Sequence, residues 1–99
     1  MPGETEIVLC VLLWAHAGQE RALVAYEDAV LQLLPAHGGR VLQRARTNDT
    51  DDGPLEIHFL TFPSEAALDA YMNDPRRAAL TADRERAIAR TAVHRVALV

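Results

Sequence analysis

Leu55-Glu56-Ile57-His58-Phe59-Leu60-Thr61-Phe62-Pro63-Ser64 constrains this chain more than any other stretch, because it reads as a strand running straight into a helix. Leu60, Thr61 and Phe62 favour extended backbone, and the residue before Pro63 is biased away from the helical region. Ser64 then offers a side-chain oxygen to the free amides of a helix opened by Glu65. With this strand near the middle of a sheet, the apolar segments on either side become its neighbours.

The first of these segments is Ile7 to Trp14, a continuous apolar run of strand length. Apolarity on both faces means that both faces are covered. Helices can cover one, and a second copy of the chain is the simplest cover for the other. A helix is predicted near 19–35. Leu23, Tyr26, Val30, Leu33 and Leu34 form its apolar stripe, and Glu20, Arg21, Glu27, Asp28 and Gln32 fall largely outside it. Pro35 and Gly38-Gly39 end this helix, with His37 in its last turn.

A more polar strand is predicted near 40–47, with Arg44 and Arg46 on the face of Leu42, as suits an edge. Asn48 to Gly53 reads as an acidic hairpin tip, whose spacing does not match a calcium loop. After the central strand at 54–62 come helices near 65–72 and 75–89, the second opened by Asp74-Pro75. The last strand is predicted near 91–98. The order is β-α-β-β-α-β, an α+β fold of ferredoxin-like type with an antiparallel four-stranded sheet and both helices on one face.

Ninety-nine residues make a single domain, 1–99, and 5% aromatic content leaves a core built mainly of Ala, Val and Leu. A net charge of −4 argues against nucleic-acid and anionic-membrane partners, which want a basic face. Cys10 is the only cysteine, the first residues are acidic where a signal peptide needs basic charge, and the apolar run is too short to span a bilayer. The expectation is a soluble, cytoplasmic protein.

Four motifs carry a family resemblance: His37-Gly38-Gly39-Arg40, Phe62-Pro63-Ser64 with Glu65-Ala66-Ala67, Tyr71-x-x-Asp74-Pro75, and Leu80 followed by Arg84. Over nearly its whole length the chain resembles the dimeric α+β barrel superfamily. Within it, the chain is most similar to a small stand-alone family of uncharacterised domains. That resemblance implies a homodimer whose two sheets form a barrel, with a cavity in each subunit between helices and sheet. A cousin family, the antibiotic-biosynthesis-type monooxygenases, oxidises aromatic substrates without metal or flavin; its characteristic histidine falls near Tyr71 here.

Arg84 is the most informative single residue. Leu80, Arg84 and Ile88 are spaced to share one helix face, and an arginine in such a stripe needs a partner. It either pairs with an acid such as Glu56 or Asp83, or clamps a ligand carboxylate. His58 and His16 are the candidate proton-transfer groups, His58 on the face of Leu60 and Phe62, and His16 closing the first strand. Both histidines have the plainer reading of satisfied interior or interface side chains. Trp14, Tyr26 and Tyr71 either line an aromatic-binding cavity or serve as core.

No histidine pair has metal spacing, and no phosphate loop, nucleophile elbow or nucleotide fingerprint occurs, so neither a metal nor a cofactor is expected. Three functions fit: a small-molecule-binding domain, a cofactor-independent monooxygenase or isomerase acting on a small aromatic or acidic molecule, and a structural dimer module. The first is favoured, and whether the protein is an enzyme stays open.

Overall fold

The computed structural model describes residues 6–48 and 52–99. Four strands, β1 (Ile7–Ala15), β2 (Arg40–Arg46), β3 (Glu56–Phe62) and β4 (Ile88–Arg95), form one antiparallel sheet in the order β2-β3-β1-β4. Helices α1 (Glu20–Leu31), α2 (Glu65–Met72), α3 (Pro75–Ala78) and α4 (Thr81–Ala87) complete the βαββαβ order, so the α+β, ferredoxin-like architecture is as expected. No helix among the described residues is long and apolar enough to cross a membrane. Of the acidic hairpin tip, Asp49, Thr50 and Asp51 lie outside the described residues.

Strand parity decides which side chains meet the helices. Ile7, Leu9 and Leu13 of β1, with Leu60 and Phe62 of β3, are buried against Leu23, Leu31, Leu34 and Tyr71. Burying one such Leu or Phe stabilises the fold by roughly 1.5–3 kcal/mol. The alternate residues Cys10, Leu12, Ile57 and Phe59 point to the other face and stay partly exposed, since no element among the described residues packs there.

The strand-to-helix junction forms as its sequence dictates. Ser64 adopts an extended conformation, and its Oγ accepts the amide of Ala67 at 3.1 Å. Asp74 plays the same part for α3, accepting from the amide of Arg76 at 2.8 Å while His37 Nε2 approaches its other oxygen at 2.8 Å.

Two helices are shorter than their apolar periodicity predicts. The first ends at Leu31, because Pro35 lacks an amide proton and tightens Leu34–His37 into a 3-10 turn. Gly38 closes that turn at φ 71°, a left-handed conformation, with its amide on the carbonyls of Leu34 and Pro35. The predicted 75–89 helix is broken at Ala79-Leu80, where the Thr81 hydroxyl bonds to the Ala78 carbonyl at 2.8 Å. Ile88, expected on a helical stripe with Leu80 and Arg84, is instead extended (φ −106°, ψ 117°) and opens β4 opposite Ala15. Its β-branched side chain suits that pairing.

Candidate functional site

Between the helices and the sheet lies a cavity of about 460 Å³. Its walls are apolar: Leu9, Val11 and Leu13 from β1, Leu60 and Phe62 from β3, Val30 and Leu31 from α1. Polar side chains enter it from Tyr26 and Glu27 on α1, His58 on β3, Tyr71 on α2, Arg77 on α3, Arg84 on α4 and Thr91 on β4. Of the residues singled out in the sequence, the fold therefore gathers His58, Arg84, Tyr71 and Tyr26 around one space. Trp14 and His16 do not line it. Trp14 pairs with Arg90 on the other sheet face, where its indole N–H donates to the Asp52 carbonyl at 2.8 Å and the Arg90 guanidinium lies 4.3 Å from the ring centroid. His16 is exposed in the turn after β1, its amide on the Ala87 carbonyl.

Glu56 and His58 form the best-defined polar unit. Two residues apart on β3, they point to the helix-covered face and are almost wholly inaccessible. Edge strand β2 pairs Arg44 with His58 and Arg46 with Glu56, so both arginines reach the same carboxylate. Glu56 Oε1 accepts from Arg44 Nε at 2.8 Å, and Oε2 accepts from Arg46 Nη2 at 2.7 Å. Arg44 extends the network outward to Asp28 at 2.6 Å. Burial by itself pushes the Glu56 carboxyl up. Hydrogen bonds from His58, Arg44 and Arg46 outweigh it and hold the group down at about 2.

An ionised carboxylate only accepts hydrogen bonds, so the contact of 2.7 Å between His58 Nε2 and Glu56 Oε1 places the ring proton on Nε2. In the neutral ring Nδ1 then carries the lone pair, and it faces Glu27 Oε1 at 3.7 Å.

Glu27 is the residue that the sequence reading misplaced. Assigned there to the solvent side of α1, it is 6% exposed and lines the cavity. Its place is set by spacing, four residues from both Leu23 and Leu31, which are buried on the same helix face. Burial pushes its carboxyl up to about 7, opposed by the charges of His58, Arg44 and Arg77 and reinforced by Glu56.

Tyr71 is pushed up to about 12, chiefly by burial, and its hydroxyl donates to the Val30 carbonyl at 3.1 Å, tying α2 to α1. Burial likewise raises Tyr26. The Arg77 guanidinium lies 4.8 Å from the Tyr71 ring centroid, and its Nε, like Thr91 Oγ1, is buried without a hydrogen-bond partner among the described residues. Arg84 is exposed at the cavity rim. Neither acid weighed for it engages it: Glu56 is held by Arg44, Arg46 and His58, and Asp83 accepts from Arg86. Among the described residues, no group of three acidic, histidine or cysteine side chains has metal-holding geometry.

A family model described as "Domain of unknown function (DUF1330)" matches residues 11–96. No curated protein sequence matches the chain. Among solved structures, the NE2512 protein of unknown function from Nitrosomonas europaea is 28% identical, with a TM-score of 0.65 over 96% of this chain and 90% of its own. A dabb family protein with a ferredoxin-like fold from Mesorhizobium loti is 16% identical, with a TM-score of 0.70 over 97% and 99%. A Bacteroides thetaiotaomicron protein provisionally described as an antibiotic biosynthesis monooxygenase is 11% identical, with a TM-score of 0.78 over 98% and 92%. At 16% and 11% identity, the last two likenesses concern the fold.

Proposed function

The chain belongs to the DUF1330 family, and on that premise we propose that it is a small-molecule-binding domain whose ligand is a small aromatic or largely apolar carboxylic acid. One observation carries this reading: Arg84, Arg77 and Thr91 line an apolar cavity of about 460 Å³, and Arg77 Nε and Thr91 Oγ1 are buried with no hydrogen-bond partner among the described residues. Buried donors without acceptors are costly, and a ligand oxygen relieves them. The apolar walls take the hydrocarbon part of the same molecule.

The test is calorimetric titration and thermal shift with a panel of small aromatic carboxylic acids. An acid is expected to bind and raise the melting temperature, and Arg84→Met to lose most of that binding, on the order of 2 kcal/mol for a charge-assisted contact, with the fold intact. Should Arg84→Met unfold the domain and no acid stabilise the wild type, Arg84 is structural and the reading fails.

A second reading, a cofactor-independent isomerase or monooxygenase, draws support from the Glu56–His58 hydrogen bond. An acid that fixes a histidine tautomer leaves the other ring nitrogen free to move a proton.

We further propose that a second copy covers the open sheet face, where Cys10, Leu12, Ile57, Phe59 and Ala92 stay partly exposed. Sedimentation at micromolar concentration should show a dimer; a stable monomer would count against it.

A further inference from the structure

We propose that Glu27 is the general base of this cavity and that the cavity's substrate is an enolisable carbonyl acid, a small and largely apolar molecule with a carboxylate and a carbonyl flanked by an acidic C–H. The proposal deepens the binding reading above and rests on it.

Three placements support it. Glu27 lines the cavity with its carboxyl almost wholly withdrawn from water, and a carboxylate that lacks a hydration shell is a better base than one in bulk solvent. Its titration near neutral pH follows from that burial and leaves a working fraction of carboxylate at physiological pH. His58 Nδ1 faces Glu27 Oε1 at 3.7 Å, longer than a hydrogen bond and a gap of the kind that tightens when substrate binds, while Glu56 holds the opposite ring nitrogen. Finally, Arg77 and Thr91 line the same cavity, and Arg77 Nε and Thr91 Oγ1 are buried donors without acceptors among the described residues, which suits a neighbourhood where negative charge develops.

The step needs no oxidant and no co-reactant. The Glu27 carboxylate takes the proton from the carbon beside the carbonyl. The C–H bond breaks, an O–H bond forms on Glu27, and the bonding pair passes into the enolate. Arg77, Thr91 and the rim cation Arg84 supply positive charge and hydrogen bonds to the enolate and the carboxylate. Return of the proton to the carbon restores the ketone, and its delivery to the enolate oxygen gives the enol. His58 accepts the proton from Glu27 through Nδ1 and exchanges it, with Glu56 stabilising the imidazolium. Glu56 is a positioning residue, two bonds of the relay removed from the substrate.

The charges facing Glu27 come from several elements: His58 and Glu56 on β3, Arg44 on β2, Arg77 on α3, Tyr26 on its own helix and Tyr71 on α2. Any pH profile belongs to this coupled set, with Glu27 raised by its burial to about 7.

The experiment uses phenylpyruvate, an aromatic 2-oxo acid with enolisable benzylic protons. Exchange of those protons with deuterated water is followed by proton NMR, and binding is measured calorimetrically on the same samples. Wild-type protein should accelerate exchange. Glu27→Gln, close in shape and neutral, should lose on the order of a hundredfold of that acceleration while its binding holds and its melting temperature does not fall. Glu27→Asp should recover part of the rate. Glu56→Gln should move the pH profile, which a merely structural role would not do. Unchanged acceleration in Glu27→Gln overturns the proposal. So does binding by the wild type without exchange, which leaves the binding reading standing. Failure of phenylpyruvate and every other acid to bind overturns both.

Discussion

Replacement of Glu56 by alanine is expected to destabilise the domain by about 3 kcal/mol or more at neutral pH, read as a shift of the urea midpoint at unchanged slope. Glu56 is fully buried and is the shared acceptor for Arg44, Arg46 and His58. Its loss leaves two partly buried guanidinium groups and a buried imidazole facing a hole. The pH dependence fixes the sign. The folded carboxyl sits at about 2 against an ordinary 4.5, so its contribution is complete above the unfolded value and is lost as pH falls from 4.5 towards 2. Wild type should therefore lose stability across that acid window, and Glu56→Ala should lose much less. An equal loss in both would show that the network is not what Glu56 contributes.

Glu27→Gln should act in the opposite direction. The folded carboxyl is raised from 4.5 to about 7, so the native state binds the proton more tightly than the unfolded chain. Stability then falls as pH rises through that window: the penalty is absent below 4.5 and complete above 7. A rise of that size corresponds to about 3 kcal/mol. Denaturation at about pH 8 should find Glu27→Gln more stable than wild type by up to that amount, and at about pH 5 the gap should nearly close. A pH-independent difference would mean that Glu27 does not titrate in its buried position.

These two acids also show where a sequence stops being readable. Strand and helix order followed from apolar periodicity, from Pro63-Ser64 and Asp74-Pro75, and from the double-sided run of β1, since each is a local preference that tertiary packing reinforces. His58, Tyr26, Tyr71 and Arg84 could be found because each shares the parity or period of buried neighbours. Parity also separates Trp14 from the cavity: it alternates with Leu13 and shares the open face with Leu12 and Cys10. Glu27 was hidden by its charge. Its spacing from Leu23 and Leu31 marked it as inward, but a carboxylate on a helix is ordinarily solvated, and only the cavity and His58 beside it make the inward position tolerable. Arg77 and Thr91 carried no local signal, because the break at Ala79-Leu80 and the early start of β4 decide where they point.

That break has a mechanical consequence. Helices of four and seven residues do not hold themselves in water, so α3 and α4 persist only through their docking on the rest of the domain. Alpha1 is longer, with twelve residues, and docks through a buried stripe. The cavity thus has one wall on a long, well-buried helix and one on two short helices, and Arg77 and Arg84 stand on the short ones. A guest that gripped both arginines would fasten these two short helices to the rest of the domain. Admission and retention would then be one event, since the proposed recognition groups would themselves form the doorway.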